Sequence, residues 1–161
     1  MVGYLLQHEN VWDYPRPPRV EPVHARIEVE ADGHLVAACD QALRVLETSH
    51  PPTVYLPWEA FPEGLLVPSS TRSTWCEFKG RASYLDIVLP GTRRTAAGWT
   101  YAAPVAPYEA LARHVAIYPS RVDACRIDGV PVQAQAGDFY GGWITPNIEG
   151  PFKGGPGTMG W

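Results

Sequence analysis

Hydrophobic and polar residues alternate along much of this chain, and turn-forming pairs break the alternation at short intervals. Arg26-Ile27-Glu28-Val29-Glu30 puts Ile27 and Val29 on one side and charges on the other, the period of two that marks a half-buried strand. Asp32-Gly33 then supplies a two-residue hairpin turn, and His34-Leu35-Val36-Ala37-Ala38 the returning strand. Asp40 reads as the N-cap of a short helix predicted from Gln41 to Glu47, which Pro51-Pro52 stops. Further strands are predicted at Thr53–Leu56, Ser73–Phe78, Ala82–Leu89 and Ala97–Tyr101, most of them divided by turns such as Lys79-Gly80 and Pro90-Gly91. Pro107 suits the first position of a second helix, predicted to run to about His114 with Leu111 and Val115 facing inward. Strands at Ala116–Tyr118, Val122–Ile127 and Val130–Gln133 close the pattern, the last two joined by Asp128-Gly129.

The two ends read differently from this body. Over residues 1–25, Trp12-Asp13-Tyr14-Pro15-Arg16-Pro17-Pro18-Arg19 excludes regular helix and central strand, because each proline fixes φ and pushes its predecessor toward extended geometry. A polyproline-like arm that packs on the surface is expected there. From Gly137 to Trp161 the chain is glycine-rich yet carries Phe139, Tyr140, Trp143, Phe152 and Trp161, which predicts a tail that wraps and docks. About eight short strands and two short helices result: a mainly β chain, folded as a small open barrel or two crossed sheets. The organisation expected is one domain, with an arm (1–25), a β core (26–133) and a wrapping tail (134–161).

Composition supports this reading and removes several functions. Gly (15) and Pro (17) together make about one residue in five of 161, too many for a helix bundle. A net charge of −4 and a pI near 5.7 argue against a broad basic face for nucleic acid. No apolar run approaches the length of about 20 residues that spans a bilayer, and the start of the chain lacks the features of a signal peptide. Three widely spaced cysteines, Cys39, Cys76 and Cys125, read as reduced thiols, so a cytoplasmic protein without membrane or nucleic-acid partners is expected. Oligomeric state is left open.

Two motifs fail on inspection. Gly155-Pro156-Gly157-Thr158-Met159-Gly160 fits G-x-G-x-x-G but lacks the following helix whose N-terminus would hold a pyrophosphate. Lys153-Gly154-Gly155 has the wrong residue order for a phosphate-binding P-loop. No C-x-x-C occurs and the five histidines are scattered, so no metal ligand is assigned.

Three clusters carry candidate chemistry. Arg44-Val45-Leu46-Glu47-Thr48-Ser49-His50-Pro51-Pro52 delivers Glu47 and His50 into a segment stiffened by two prolines, which suits an acid–base pair; the alternative is a Glu47–Arg44 ion pair with a merely structural His50. In Trp75-Cys76-Glu77-Phe78-Lys79-Gly80-Arg81, strand geometry places Cys76 and Phe78 on one face, and Glu77 and Lys79 with Trp75 on the other. Lys79 is one of two lysines in a chain that otherwise uses arginine, which nominates it as a reactive or anion-binding amine against a solvated Glu77–Lys79 pair. Tyr55, Trp58, Tyr84, Trp99, Tyr101 and Tyr118 either line a small-molecule pocket or simply fill a β core.

At these residues the chain resembles a known family. Trp12-Asp13-Tyr14-Pro15-Arg16-Pro17, the Arg44–Pro52 segment, Cys76-Glu77-Phe78-Lys79-Gly80, Trp99-Thr100-Tyr101 and Phe139-Tyr140-Gly141-Gly142-Trp143 are together similar to the domain-of-unknown-function 427 family. The tail resembles an extension found in its actinobacterial members. The resemblance implies a small, mostly antiparallel β-tent or pseudo-barrel, and a nucleotidyltransferase label travels with it. The chain has no D-x-D or D-x-E pair of the kind that holds Mg²⁺ in such enzymes. Three functions stay open: a small-molecule-binding β domain, catalytic or not, with Glu47, His50 and Lys79 as its polar centre and Tyr55, Cys76, Tyr84, Trp99 and Tyr101 as its wall; nucleotidyl transfer; or a non-catalytic interaction module. No cofactor is named by the sequence.

Overall fold

The structure is a computed structural model that describes residues 3–161; Met1 and Val2, the start of the predicted arm, lie outside the described residues. Fourteen strands are present among them: β1 (Glu9–Asn10), β2 (Arg19–Ala31), β3 (His34–Leu46), β4 (Thr53–Pro57), β5 (Leu66–Pro68), β6 (Thr74–Cys76), β7 (Gly80–Leu89), β8 (Thr92–Thr100), β9 (His114–Ile117), β10 (Ala124–Ile127), β11 (Val130–Pro131), β12 (Gln133–Ala134), β13 (Trp143–Ile144) and β14 (Ile148–Glu149). The helical content is five single turns of three residues each. The protein is mainly β, as expected.

One large antiparallel sheet runs in the order β11-β10-β2-β3-β4-β9-β8-β7-β5, with β6 added to β7. Its two ends are not hydrogen-bonded to each other, yet Ile127 from β10 and Ile87 from β7 sit in one buried cluster with Val29, Val54, Val115 and Ile117. Strands from opposite ends share that core only if the sheet curls around it, which makes a pseudo-barrel. Both Asp-Gly pairs form the expected hairpins, with φ of 52° and 75° at Asp32-Gly33 and 48° and 81° at Asp128-Gly129; two positive φ values in succession are the turn that matches strand twist.

Period-two alternation sends the central strands to two buried faces. In β4, Val54 and Leu56 join the inner core while Tyr55 faces the opposite way; β9 splits likewise, Val115 and Ile117 against Ala116. The second face collects Tyr55, Tyr84, Trp99, Tyr101, Tyr108 and Tyr118. Burial on both faces explains why these strands read as continuous apolar runs.

Both predicted helices are absent. Gln41 to Leu46 is instead the second half of β3, paired with Arg19–His24 on one side and, over Leu43–Val45, with Thr53–Tyr55 on the other, and Glu47 starts the turn after it. A seven-residue helix is costly to nucleate, and two flanking strands outcompete it. Pro107 to His114 holds only a single helical turn, Glu109–Leu111; Leu111 and Val115 are buried as predicted, but His114 and Val115 belong to β9, where they pair with β4. The arm also ends earlier than predicted, because β2 starts at Arg19. Its first half is paired only with β3, since β10 reaches no further than Ile27–Glu30, so Pro22 faces an open edge where its missing N–H is harmless. Of the predicted strands, Ser73–Phe78 shortens to Thr74–Cys76 and Val122–Ile127 to Ala124–Ile127, and Val130–Gln133 breaks at Val132.

Arm and tail meet. β1 pairs in parallel with β14, and Glu9 makes a bidentate bond to the buried Arg44 guanidinium (2.9 and 2.8 Å), which also pairs with Glu21. Arg44 therefore serves the arm and not Glu47. Trp143, from the tail, is fully buried in the inner core and donates its indole N–H to the Ile117 carbonyl at 3.0 Å.

Candidate functional site

Across four neighbouring strands, Tyr55 (β4), Ala116 (β9), Trp99 (β8) and Tyr84 (β7) stand directly opposite one another in register. Ala116 is the small member of the row. Its missing bulk leaves a hollow that the Trp99 indole crosses to donate to the Tyr55 hydroxyl at 3.2 Å. The rings of Tyr101 and Tyr118 flank this pair at 6.4 Å from Tyr55 and 4.6 Å from Trp99, and Thr74 Oγ1 lies 3.1 Å from the Tyr84 hydroxyl. Above this aromatic floor is a cavity of about 250 Å³.

Three further segments build its rim. β6 and the turn after it contribute Cys76, Phe78 and Lys79; the turn after β3 contributes Glu47 and His50; the tail contributes Gln135, Tyr140, Gly141 and Lys153. Glu47, His50, Lys79, Tyr55, Cys76, Tyr84, Trp99 and Tyr101 line this one cavity, as does Tyr118, whereas Trp58, expected among the same aromatics, is exposed and lies outside it. The facing predicted for Lys79 is corrected. β6 ends at Cys76, so the alternation stops there and the turn folds Lys79 inward while Glu77 and Trp75 stay exposed. No Glu77–Lys79 ion pair forms.

Lys79 is only 8% exposed. Its ammonium lies 5.9 Å from the centre of the Tyr101 ring, within cation–π range, and has neither a carboxylate in ion-pair range nor a hydrogen-bond partner among the described residues. Glu47, by contrast, is held by Arg16, its Oε2 3.3 Å from Arg16 Nε. The Glu47–His50 turn is clamped from both ends of the chain. Thr48 donates its hydroxyl to the Tyr14 carbonyl (2.6 Å), and the Ser49 carbonyl accepts from Lys153 N–H (2.8 Å).

His50 has a defined tautomer. Gln135 Oε1 accepts from Gly142 N–H (3.0 Å) and Gln135 Nε2 donates to the Lys153 carbonyl (2.6 Å), which fixes the amide's orientation. The same Nε2 lies 3.3 Å from His50 Nδ1, so Nδ1 is the acceptor and the proton sits on Nε2, 3.9 Å from Glu47 Oε2. Burial, and then the positive charges of Lys153, Arg16 and Lys79, push the imidazole pKa down to about 4. His50 is thus neutral at pH 7, with its lone pair occupied and its N–H available. Burial likewise raises the pKa of Tyr55, Tyr101 and Tyr118, so their hydroxyls remain protonated donors.

Residues 19–128, about two thirds of the chain, match the profile of a family described as Domain of unknown function (DUF427), whose short label is of the nucleotidyltransferase type. The chain belongs to that family. No curated protein matches it. The matched segment supplies the floor, Glu47, His50 and Lys79; Gln135, Tyr140, Gly141 and Lys153 lie beyond it. Of these tail residues Lys153 has a site signal in plain view in the sequence, being the only lysine besides Lys79, although the motif around it fits only a failed P-loop. Gln135 carries no local signal, since its role arises from a contact 85 residues away in sequence.

Proposed function

We propose that the protein binds a small organic anion in the aromatic cavity, with Lys79 as the anion's anchor. One observation carries this reading: Lys79, its side chain packed into the cavity wall, has an ammonium with no anionic or hydrogen-bonding partner among the described residues. A compact cation set beside aromatic rings in a concave site is a point of attachment for an anionic ligand. The surroundings agree, because His50 Nε2–H and the Tyr55 hydroxyl, which accepts from Trp99, have protons to donate, and an anion's oxygens are acceptors. The flat walls favour a ligand with a planar apolar part. At about 250 Å³ the cavity is of a size for a small molecule.

The family label raises nucleotidyl transfer as a second reading. That chemistry uses carboxylates to hold divalent metal ions. Among the described residues no group of three or more His, Cys, Asp or Glu is placed to hold a metal ion, and Glu47 is engaged by Arg16. The residues present do not fit the metal-bound form of this reaction.

Calorimetric titration separates the two. Benzoate and phenyl phosphate are expected to bind saturably, whereas ATP with Mg²⁺ gives no heat beyond dilution. Binding of ATP with Mg²⁺, and of neither small anion, would overturn the proposal.

A further inference from the structure

We infer that the ligand is amphipathic: a single anionic group held at Lys79, and a planar apolar part that runs out of the cavity and rests on Trp75 and Phe139 at its mouth. The inference rests on the anion-binding reading above and narrows its ligand class. Trp75 (69% exposed) and Phe139 (59% exposed) are the two most exposed aromatic side chains among the described residues, and both line the aromatic cavity. A side chain that lines a cavity and also faces solvent stands at the opening. Large apolar rings left in water are unfavourable, and exposed apolar surface continuous with a pocket marks where a ligand continues. Trp12 differs: its ring packs on Trp161 and its indole N–H donates to the Pro151 carbonyl, so its place within the chain is already taken.

Both rings are held out by their backbones. Thr74 and Cys76, on either side of Trp75 in β6, line the cavity, and Thr74 Oγ1 lies 3.1 Å from the Tyr84 hydroxyl. The period of two therefore sends Trp75 outward, opposite Arg81 of β7. On the tail, the Tyr118 hydroxyl donates to the Phe139 carbonyl (3.0 Å) and Arg121 donates to the Asp138 carbonyl (2.8 Å), so the Phe139 ring projects from a pinned main chain. That ring packs edge-on against Tyr140 at 5.2 Å, and Tyr140 against His50 at 4.9 Å. An aromatic path thus leads from His50 to the opening, and a flat ligand keeps ring contacts along it.

Charge on the same wall sets the polarity of the two ends. Lys79 is the ammonium without a hydrogen-bond or ion-pair partner, whereas Lys153 already donates to the main-chain oxygen of Trp161 at 3.3 Å. Glu77, between Trp75 and Lys79 in sequence, lines the cavity from the exposed turn. A carboxylate there disfavours a second anionic group at the mouth and leaves an uncharged ring as the complement. The class that fits is an aryl carboxylate of two or more rings, charged at its inner end only.

Three probes test this by calorimetry on the full chain: benzoate, 4-phenylbenzoate and biphenyl-4,4'-dicarboxylate. The 4-phenylbenzoate should bind about tenfold or more tightly than benzoate, the gain expected when a second ring is partly covered, and more tightly than the dicarboxylate of equal length. Trp75→Ser and Phe139→Ser should each reduce the preference for the second ring, and the double variant should remove it. Both side chains are exposed, so these substitutions should leave the fold intact. Equal affinity for benzoate and 4-phenylbenzoate would overturn the inference while the anion-binding reading stands. A preference that survives in the folded double variant would overturn the assignment to Trp75 and Phe139. Tighter binding of the dicarboxylate would overturn the single anionic group. Absence of binding by all three probes would overturn the underlying reading too. Should the double variant fail to fold, the single variants carry the same test.

Discussion

His50 owes its protonation state to a shortage of water and to three cations, Lys153, Arg16 and Lys79. Its side chain is 13% exposed, so burial weighs heavily. The folded pKa of about 4 lies below the ordinary value near 6.5, which fixes the sign of a pH effect. Between those values the unfolded chain binds a proton that the folded chain refuses, so stability is intact above pH 6.5 and is lost as the pH falls toward 4. From pH 7 to 5 this amounts to about 2 kcal/mol. Urea unfolding at the two pH values should show that loss, and His50→Gln should remove most of it; an unchanged pH dependence in the variant would contradict the assignment. Carboxylates such as Glu9 and Asp86, whose pKa values are lowered, contribute only below this window. At this scale the sequence was informative. Rare or titratable residues beside prolines and turns pointed to Glu47, His50 and Lys79, and all three line one cavity. Facing and protonation were not legible, because both follow from contacts made by distant segments.

Individual strands and turns decide how those residues converge. The hairpins at Asp32-Gly33 and Asp128-Gly129 were legible because the backbone preference there is local. The helix predicted over Gln41 to Glu47 was misread because its competitor, pairing with β2 and β4, is not. Had that segment been helical, the turn that carries Glu47 and His50 would not lie beside the aromatic row. The closing element of the cavity is the tail around Gly141. A Cβ there would stand 2.4 Å from Trp99 Cη2 and 2.7 Å from Cζ3. Trp99 has little freedom to move, being bonded to Tyr55 and packed on Tyr118. Gly141→Ala should therefore cost about 1–3 kcal/mol by overpacking and weaken benzoate binding together with it. Thermal unfolding and calorimetry on the same sample check this; a variant with unchanged Tm would show that tail and floor are not in contact.

The whole molecule is closed by its ends. β1 and β14 pair, Arg44 holds Glu9, and Trp143 fills the inner core. Among the described residues no helix is long and apolar enough to cross a membrane. Removing residues 137–161 should therefore abolish cooperative unfolding, because it deletes the fully buried Trp143 as well as one cavity wall; large aromatic deletions from a core cost about 3–5 kcal/mol alone. A truncated chain with a sharp thermal transition would contradict this and favour the tail as a dispensable docking segment. The glycine and aromatic composition announced a wrapping tail, but not that it brings the second lysine. The account as a whole depends on Lys79. The Lys79 ammonium makes no hydrogen bond or ion pair in the free protein, so Lys79→Met should leave Tm close to unchanged. Calorimetric titration of benzoate into the two proteins is the direct measurement: saturable binding by the unmodified protein, weakened at least about tenfold in a folded Lys79→Met variant, is the expected result. Equal binding by both proteins would contradict it.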